Sequence, residues 1–294
     1  MEIQAYAKIN LTLEVLGDRP DGYHEVQTIV QTIDLADRLY FESANSLRIT
    51  CSKPDLQGES NLIWKAVQAL QNVTSCNRGV NIFLEKHIPV SMGLGGGSSD
   101  AAATLTALNR LWGLDMDAAQ LRSIASLIGS DVSFFIDGGT ALCKGRGEIV
   151  SLLPPCPQTW LILLCPPLPL YHDYAYRTPK TARMYSILTR DHYTAGTHSL
   201  KLASALKNSE LNEDLFYNVF EQIAPSAFPG VADAIKQLQE EGRQPVHLSG
   251  SGPALYRLVS CQEEGEAILE YLKSIGSMAY VTSTLQPEAP LATN

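Results

Sequence analysis

The feature that most constrains this chain is a run of four glycines in five positions, residues 93–97, placed directly before a helical pattern. Glycine tolerates positive φ and lets a ligand approach the bare backbone, so the run is neither ordinary helix nor strand. Apolar residues then recur at three- and four-residue spacing, which predicts a helix over 101–112 that ends at Gly113 and is capped by Ser98 or Ser99. A glycine loop that feeds a helix N-terminus presents unpaired N–H groups and the positive end of a dipole, which predicts a phosphate site.

Other interpretations of the glycine run are a flexible surface loop and three known nucleotide motifs. A Walker A loop requires Lys and then Ser or Thr after its last glycine, whereas Ser98 and Ser99 follow here without a lysine. The dinucleotide fingerprint requires a third glycine where Ser98 stands, and neither Asp115 nor Asp117 closes a second strand that would meet a ribose. A protein kinase is excluded because the chain contains no His-Arg-Asp or Asp-Phe-Gly.

Composition limits the class of protein and its partners. With 294 residues, 45% hydrophobic and 18% charged, the chain forms one large or two ordinary domains and is not disordered. Its formal net charge of -9 argues against a nucleic-acid partner, although a local basic pocket remains compatible with it. The N-terminus does not resemble a signal peptide, and the longest apolar run, 160–165, is too short to span a bilayer. Six cysteines without a Cys-x-x-Cys pair indicate reduced thiols rather than a metal site, so we expect a cytoplasmic protein without a membrane partner.

The N-terminal segment combines a strand with a turn that carries two rings. Apolar residues alternate over 3–15, which predicts a strand whose other face carries Lys8 and Asn10. That face is either wet or functional. A turn signal at 20–22 is followed by Tyr23 and His24, which offer a stacking face and two ring nitrogens that suit a nucleobase. The alternative is a packed tyrosine and a satisfied core histidine.

Two further segments carry chemistry or organisation. Asp131 follows a helix that opens with a capping box at Asp117 and ends near Gly129, so it is either the N-cap of the next turn or a reactive carboxylate. The Ser-Gly-Ser-Gly sequence at 249–252 is, at the least, a hairpin turn between two strands. A proline-rich stretch at 154–157 predicts a boundary between domains 1–155 and 156–294.

Four motifs together resemble one known superfamily over nearly the whole chain. Pro-x-x-x-Gly-Leu-Gly-Gly-Gly-Ser-Ser-Asp at 89–100 resembles the phosphate loop of the GHMP small-molecule kinases, and residues 249–252 resemble their third motif. Ala-Lys-Ile-Asn at 7–10 and Asp-Gly-Tyr-His at 21–24 resemble the diphosphocytidyl-methylerythritol kinases within that superfamily. The resemblance implies an α+β fold with an N-terminal ribosomal protein S5 domain 2-like part, a C-terminal ferredoxin-like α/β sandwich and an active site between them.

The same resemblance implies roles for individual residues. It makes Lys8 and Asp131 catalytic and Asn10 a substrate-binding residue. It assigns Tyr23, His24 and Tyr176 to the cytidine end of the substrate, with Tyr176 against the cytosine. His172 stands where a threonine is usual. The implied ATP-binding residues are Pro89, Val90, Ser91, Met92, Gly93, Leu94, Gly95, Gly96, Gly97, Ser98 and Ser99.

The implied reaction moves the γ-phosphoryl of ATP, with Mg²⁺, onto the 2-hydroxyl of 4-diphosphocytidyl-2-C-methyl-D-erythritol in the non-mevalonate route to isoprenoid precursors. No protein ligand for the metal is implied, and we expect a monomer or weak homodimer. Two alternatives stay open. One is another GHMP kinase, acting on homoserine, mevalonate or a sugar, which the Asp-Gly-Tyr-His motif disfavours. The other is a non-catalytic nucleotide-binding module, which the presence of Lys8 and Asp131 disfavours.

Overall fold

A computed structural model describes residues 1–167, 180–239 and 244–285, and within them the architecture is α+β. The strands are β1 (Glu2–Asp18), β2 (His24–Ala44), β3 (Leu47–Cys51), β4 (Gly79–Glu85), β5 (Thr140–Gly145), β6 (Ile149–Leu152), β7 (Trp160–Cys165), β8 (Tyr217–Asn218), β9 (His247–Leu248), β10 (Leu255–Val259) and β11 (Met278–Ser283). The helices are α1 (Leu62–Thr74), α2 (Gly96–Trp112), α3 (Ala118–Ile128), α4 (Phe134–Asp137), α5 (Lys180–Ile187), α6 (Thr197–Lys207), α7 (Ala224–Ala227), α8 (Val231–Gln239) and α9 (Gln262–Ser274).

The long antiparallel pair β1–β2 is the spine of the first sheet. β2 pairs with β4 through its C-terminal part and with β5 through its N-terminal part, and the sheet order is β3-β4-β2-β1-β8 with β5 and β6 attached to β2. The sequence predicts separate strands over 25–34 and 39–41, but the structure has one continuous strand. A register shift leaves Asp34 and Leu35 outside the ladder opposite Tyr6 and Ala7, so two extra residues are absorbed as a bulge rather than a turn.

Helices α1, α2 and α3 cover this sheet, and α2 positions the glycine loop. The predicted apolar face of α2 is buried, and Gly113 ends the helix at φ 63°. The start differs from the prediction. The N-cap is Gly95 at φ 72°, and Ser98 and Ser99 lie inside the first turn instead of capping it. A left-handed glycine lets the chain turn from the loop straight into the helix, which leaves the first N–H groups without a side-chain cap.

The second sheet has the antiparallel order β11-β7-β10-β9, with α8 and α9 packed against it. The sequence predicts strands over 160–164 and 278–283; β11 has these bounds, and β7 is one residue longer than predicted. β8 comes from this half of the chain but pairs in parallel with β1, through Thr12 and Tyr217. The division at residue 155 and the two domain names remain predictions. No helix in the described ranges is long and apolar enough to cross a membrane.

Candidate active site

The glycine loop is held tightly by two neighbouring segments. A Cβ at Gly93 would lie 2.2 Å from the Ser249 carbonyl oxygen, and a Cβ at Gly95 would lie 2.7 Å from the Phe135 ring. Both glycines also have positive φ, so conformation and space both require them. The Lys8 N–H donates to the Leu94 carbonyl at 3.0 Å. The loop is therefore anchored to β1 as well as packed against α4.

The Ser-Gly-Ser-Gly turn supports the loop from the second half of the chain. The Ser249 hydroxyl donates to the Gly93 carbonyl at 3.1 Å, and the Ala254 N–H donates to the Met92 carbonyl at 3.1 Å. A Cβ at Gly250 would lie 3.0 Å from the Lys8 Nζ. The turn therefore lies against both the glycine loop and the first-strand lysine, as the resemblance implies and as a plain hairpin would not require.

A cavity of about 820 Å³ opens over the loop and collects most of the predicted site residues. Lys8, Asn10 and Asp131 line it together with residues 89–98. Ser99, predicted to bind ATP, is buried in α2 and is not among the lining residues. Residues from later in the chain that also line it are Cys143, Arg146, Gly147, Lys180, Thr181, Tyr185, Gly250 and Ser251.

Lys8 is a buried amine inside this cavity. Lys8 lies on the face of β1 for which the sequence allows either solvent exposure or a functional role. Only 4% of the residue is exposed. Its Nζ donates to Asn10 Oδ1 at 2.5 Å, and Asn10 Nδ2 in turn donates to Thr28 Oγ1 at 2.8 Å. Burial lowers the pKa of Lys8, and the nearby Asp131 charge partly opposes that effect. Lys8 is thus fixed in place by a neutral amide while its charge faces the pocket.

Asp131 does not serve as the helix cap that the sequence left open. α4 begins at Phe134 with Ser133 in the N-cap position and no side-chain cap bond. Asp131 lies in the preceding turn, exposed and lining the cavity, and a Cβ at Gly147 would lie 3.6 Å from its Oδ1. Its charge acts on Lys8, so the two predicted catalytic residues share one site. Their roles remain predictions.

The two predicted base-binding rings lie beside the cavity rather than in its lining. Tyr23 is 54% exposed, and the Arg146 guanidinium lies 4.9 Å from its ring centroid. The ring of His24 is 5.2 Å from that of Tyr185 and 6.1 Å from that of Tyr193. Tyr23 therefore contacts the lining residue Arg146, and His24 contacts the lining residue Tyr185. Tyr176 and His172 lie outside the described residues.

Sequence reasoning missed a buried charged cluster beneath the loop. Lys86 Nζ donates to Asp100 Oδ2 at 2.8 Å and to Asp37 Oδ2, while Asp37 Oδ1 accepts from the backbone N–H groups of His87 and Ile88 at 2.6 and 2.8 Å. Burial raises the pKa of Asp100 to about 7, against the attraction of Lys86. Burial also works to lower the pKa of Lys86, but the two carboxylates outweigh it and raise that pKa.

One signal in the sequence points to this cluster. Asp100 precedes Thr104 and Leu108 at four-residue spacing, so the helical pattern places it on the buried face of α2. A carboxylate on a buried helix face requires a partner, and Lys86 is the cation nearest to it along the chain before the loop. A Cβ at Gly96 would lie 2.9 Å from Lys86 Nζ, which places the cluster directly against the loop.

Comparison with known proteins bears on the family and the fold of the chain. The family model described as the GHMP kinases N terminal domain matches residues 61–139. A 4-diphosphocytidyl-2-C-methyl-D-erythritol kinase from Dehalococcoides mccartyi is 41% identical over 287 residues, covering 98% of this chain and 99% of that protein. The crystal structure of a 4-(cytidine 5'-diphospho)-2C-methyl-D-erythritol kinase superposes with a TM-score of 0.80 at 30% identity, covering 98% of this chain and 100% of that one.

A more distant neighbour shows how far the fold extends. Homoserine kinase from Cytophaga hutchinsonii superposes with a TM-score of 0.70 at 18% identity, over 98% of this chain and 95% of that one. At this identity the likeness shows the fold alone, and the predicted GHMP kinase fold is confirmed. The identity of 41% to the Dehalococcoides protein over nearly the full length shows the family as well as the fold. The chain therefore belongs to the family of 4-diphosphocytidyl-2-C-methyl-D-erythritol kinases, small-molecule kinases of the GHMP superfamily.

Proposed function

We propose that this protein transfers the γ-phosphoryl group of ATP to the 2-hydroxyl of 4-diphosphocytidyl-2-C-methyl-D-erythritol, a step of the non-mevalonate route to isoprenoid precursors. Family membership at 41% identity supports the reaction. The observation that carries it is that Lys8, Asp131 and the glycine loop line one cavity. Phosphoryl transfer requires a phosphate cradle, positive charge and an aligned acceptor hydroxyl. The glycine loop supplies the cradle, Lys8 supplies positive charge, and Asp131 supplies a carboxylate that the hydroxyl can meet.

The glycine loop and α2 hold the triphosphate. The first N–H groups of α2 have no side-chain cap, because Gly95 occupies the N-cap position. Free N–H groups and the positive end of the helix dipole favour phosphate oxygens at that point. Mg²⁺ enters as part of the nucleotide substrate, since this ion retains phosphate and water ligands and uses few protein groups. In the described ranges no three acidic, histidine or cysteine side chains cluster as a metal site.

Asp131 acts as the general base on the acceptor hydroxyl. It is exposed to the cavity, so a bound alcohol reaches its carboxylate without rearrangement of the core. Lys8 keeps this carboxylate ionised through its positive charge and stabilises the negative charge that develops on the phosphoryl oxygens. Asn10 orients the Lys8 ammonium, which donates a 2.5 Å hydrogen bond to Asn10 Oδ1.

Tyr23, His24 and Tyr176 bind the cytidine end of the acceptor. The support is the placement of Tyr23 and His24 beside the cavity, next to Arg146 and Tyr185. An exposed tyrosine ring beside a cavity that holds phosphates leaves a face on which a base can stack. We further propose that the chain acts in the cytoplasm as a monomer or weak homodimer, without nucleic-acid or membrane partners.

An ATP-consumption assay with a panel of acceptors tests the reaction. Purified protein, Mg²⁺ and ATP are incubated with 4-diphosphocytidyl-2-C-methyl-D-erythritol, mevalonate or homoserine. We expect turnover with the first compound alone, with one ADP formed for each phosphorylated acceptor. Faster turnover of mevalonate or homoserine would reassign the substrate. Nucleotide binding with no turnover of any acceptor would make the chain a non-catalytic module.

A further inference from the structure

A second amine, Lys180 at the start of α5, lies in the same cavity as Lys8. Lys180 is half-buried and lines the cavity, and its Nζ donates to the Gly252 carbonyl. The next residue, Thr181, places its hydroxyl 3.4 Å from that of Ser251. The start of α5 is therefore docked on the Ser-Gly-Ser-Gly turn, which itself supports the glycine loop.

That turn brings the two amines to one place. Gly250 approaches Lys8 so closely that a Cβ would lie 3.0 Å from its Nζ, while Gly252 accepts the bond from Lys180. The positive charge of Lys8 acts directly on Lys180. In the described part of the chain, the bond that holds the Lys180 ammonium is to a neutral carbonyl, and no carboxylate is paired with it. Two other cations line the cavity, and each is paired with carboxylates: Lys86 with Asp37 and Asp100, and Arg146 with Glu148. Among the described residues, Lys8 and Lys180 have no such ion pair, although the charge of Asp131 acts on Lys8.

Cys143 and Tyr185, which also line the cavity, do not neutralise these two amines. Burial and the Lys8 charge lower the pKa of Lys180 to about 7. Burial raises the pKa of the Cys143 thiol and of the Tyr185 phenol well above their usual ranges, so both face the cavity uncharged at neutral pH. A buried amine that has no paired carboxylate favours an anion as its ligand, and Lys180 is held only by a neutral carbonyl.

We propose that Lys180 and Lys8 together form a subsite for a phosphate-type anion in the reaction. The identity of that anion rests on the proposed function, which brings two phosphate-bearing molecules into the cavity. One source is the terminal phosphoryl group of ATP, and the other is the diphosphate bridge of the acceptor. In either case Lys180 contacts phosphate oxygens in the bound complex and gives up or shares its bond to Gly252.

Steady-state kinetics of Lys180→Met and Lys180→Arg test the subsite. We expect Lys180→Met to lower kcat/KM by roughly 10- to 100-fold, the range of a charge-assisted hydrogen bond, and Lys180→Arg to restore most of it. Lys201→Met, at an exposed position of α6, is the matched control and should behave as the parent protein. A larger rise in KM for ATP than for the acceptor, or the reverse, identifies which molecule supplies the anion.

Calorimetry supplies a readout that a merely structural clamp would not change. A non-hydrolysable ATP analogue and CDP are each titrated in two neutral buffers of different ionisation enthalpy. The parent protein should take up protons when the anion restores the charge of Lys180, and Lys180→Arg should take up fewer because arginine is already charged. Because the charge at position 180 acts on Lys8, the same titrations on Lys8→Met, with and without Lys180→Arg, assign the difference to Lys180.

The outcomes separate this inference from the proposed function. If the parent protein phosphorylates the cytidylyl substrate while Lys180→Met matches it in kcat and both KM values, the subsite is wrong and the reaction stands. If the parent protein turns over no acceptor, the reaction is wrong, and the proton uptake still decides the subsite. If Lys180→Met fails to fold, Lys180→Arg decides alone, and equal proton uptake in arginine variant and parent overturns the subsite.

Discussion

Lys8 and Lys86 both lie against the glycine loop, yet their surroundings differ. A Cβ at Gly95 would meet the Lys8 side chain at 3.0 Å, and a Cβ at Gly96 would meet Lys86 Nζ at 2.9 Å. Lys86 is buried and paired with two carboxylates, which neutralise its charge. Lys8 is bonded to a neutral amide and faces the cavity. One lysine therefore fixes the base of the loop, and the other leaves its charge available to a substrate.

The largest effect expected on the catalytic side comes from Asp131→Asn. The change removes the proton acceptor next to Lys8 but keeps shape and hydrogen-bonding capacity, so turnover should fall by roughly two to four decades, the usual range for a general base. Thermal unfolding and binding of an ATP analogue should be unchanged. Asp115→Asn is the matched control, because Asp115 is exposed and its positive φ of 52° suits asparagine. Near-normal turnover of Asp131→Asn would contradict the role of Asp131 as general base. The Lys8 site would then differ from the Lys86 site in ion pairing but not in catalysis.

On the structural side, Lys86→Met should unfold more easily. It leaves Asp37 and Asp100 buried without their cation, and breaking a buried pair in this way costs about 3–5 kcal/mol. Urea unfolding measures the loss, with Lys65→Met on the exposed face of α1 as the control. A loss of unfolding free energy below about 1 kcal/mol, as for a surface ion pair, would mean that Lys86 does not stabilise the fold.

A third prediction uses pH to sharpen the difference. Asp100 titrates at about 7 in the folded protein, compared with its ordinary value of 3.8. Its ionisation therefore costs stability as pH rises between those two values. Asp100→Asn cannot ionise, so the stability of the variant relative to the parent should increase with pH across that window and level off above about 7. Melting curves of both proteins over this range test it, and a constant difference would show that Asp100 ionises normally.

The smallest effects are expected at the rim of the cavity. Tyr23→Ala and His24→Ala should each raise the KM for the cytidylyl substrate by roughly 5- to 100-fold, the worth of one stacking contact, and change the KM for ATP little. Tyr271→Ala on α9, at a similarly exposed tyrosine, is the control. Equal rises in the KM for the cytidylyl substrate and the KM for ATP would mean that the two rings support the packing of the site and do not recognise the base.

Local patterns in the sequence predicted the elements that local forces determine. The apolar face of α2, its end at Gly113 and the capping box of α3 each depend on residues within one or two turns, and the structure confirms them. The β1 alternation predicted the strand that carries Lys8, and this residue lines the same cavity as the glycine loop, whose role as a phosphate site stays a prediction.

What the sequence did not predict depends on contacts between distant segments. The continuity of β2 through Asp34 depends on a bulge that forms only against β1. The cluster of Lys86 with Asp37 requires a partner 49 residues away along the chain. Lys180 enters the cavity because a turn more than 70 positions later accepts its hydrogen bond. No periodicity encodes such pairings, and the helical pattern indicates burial for Asp100 alone among these charged residues.

The attachment of the glycine loop to both ends of the chain has a consequence for biosynthesis. The Ser249 hydroxyl reaches back 241 residues to the Lys8 carbonyl at 3.4 Å, and the Tyr256 hydroxyl donates to the Asn10 carbonyl at 2.9 Å. The ribosome therefore has to release residues 249–256 before these contacts with β1 can form. Nascent chains that stop before this segment lack the contacts through which Ser249 holds the glycine loop against β1.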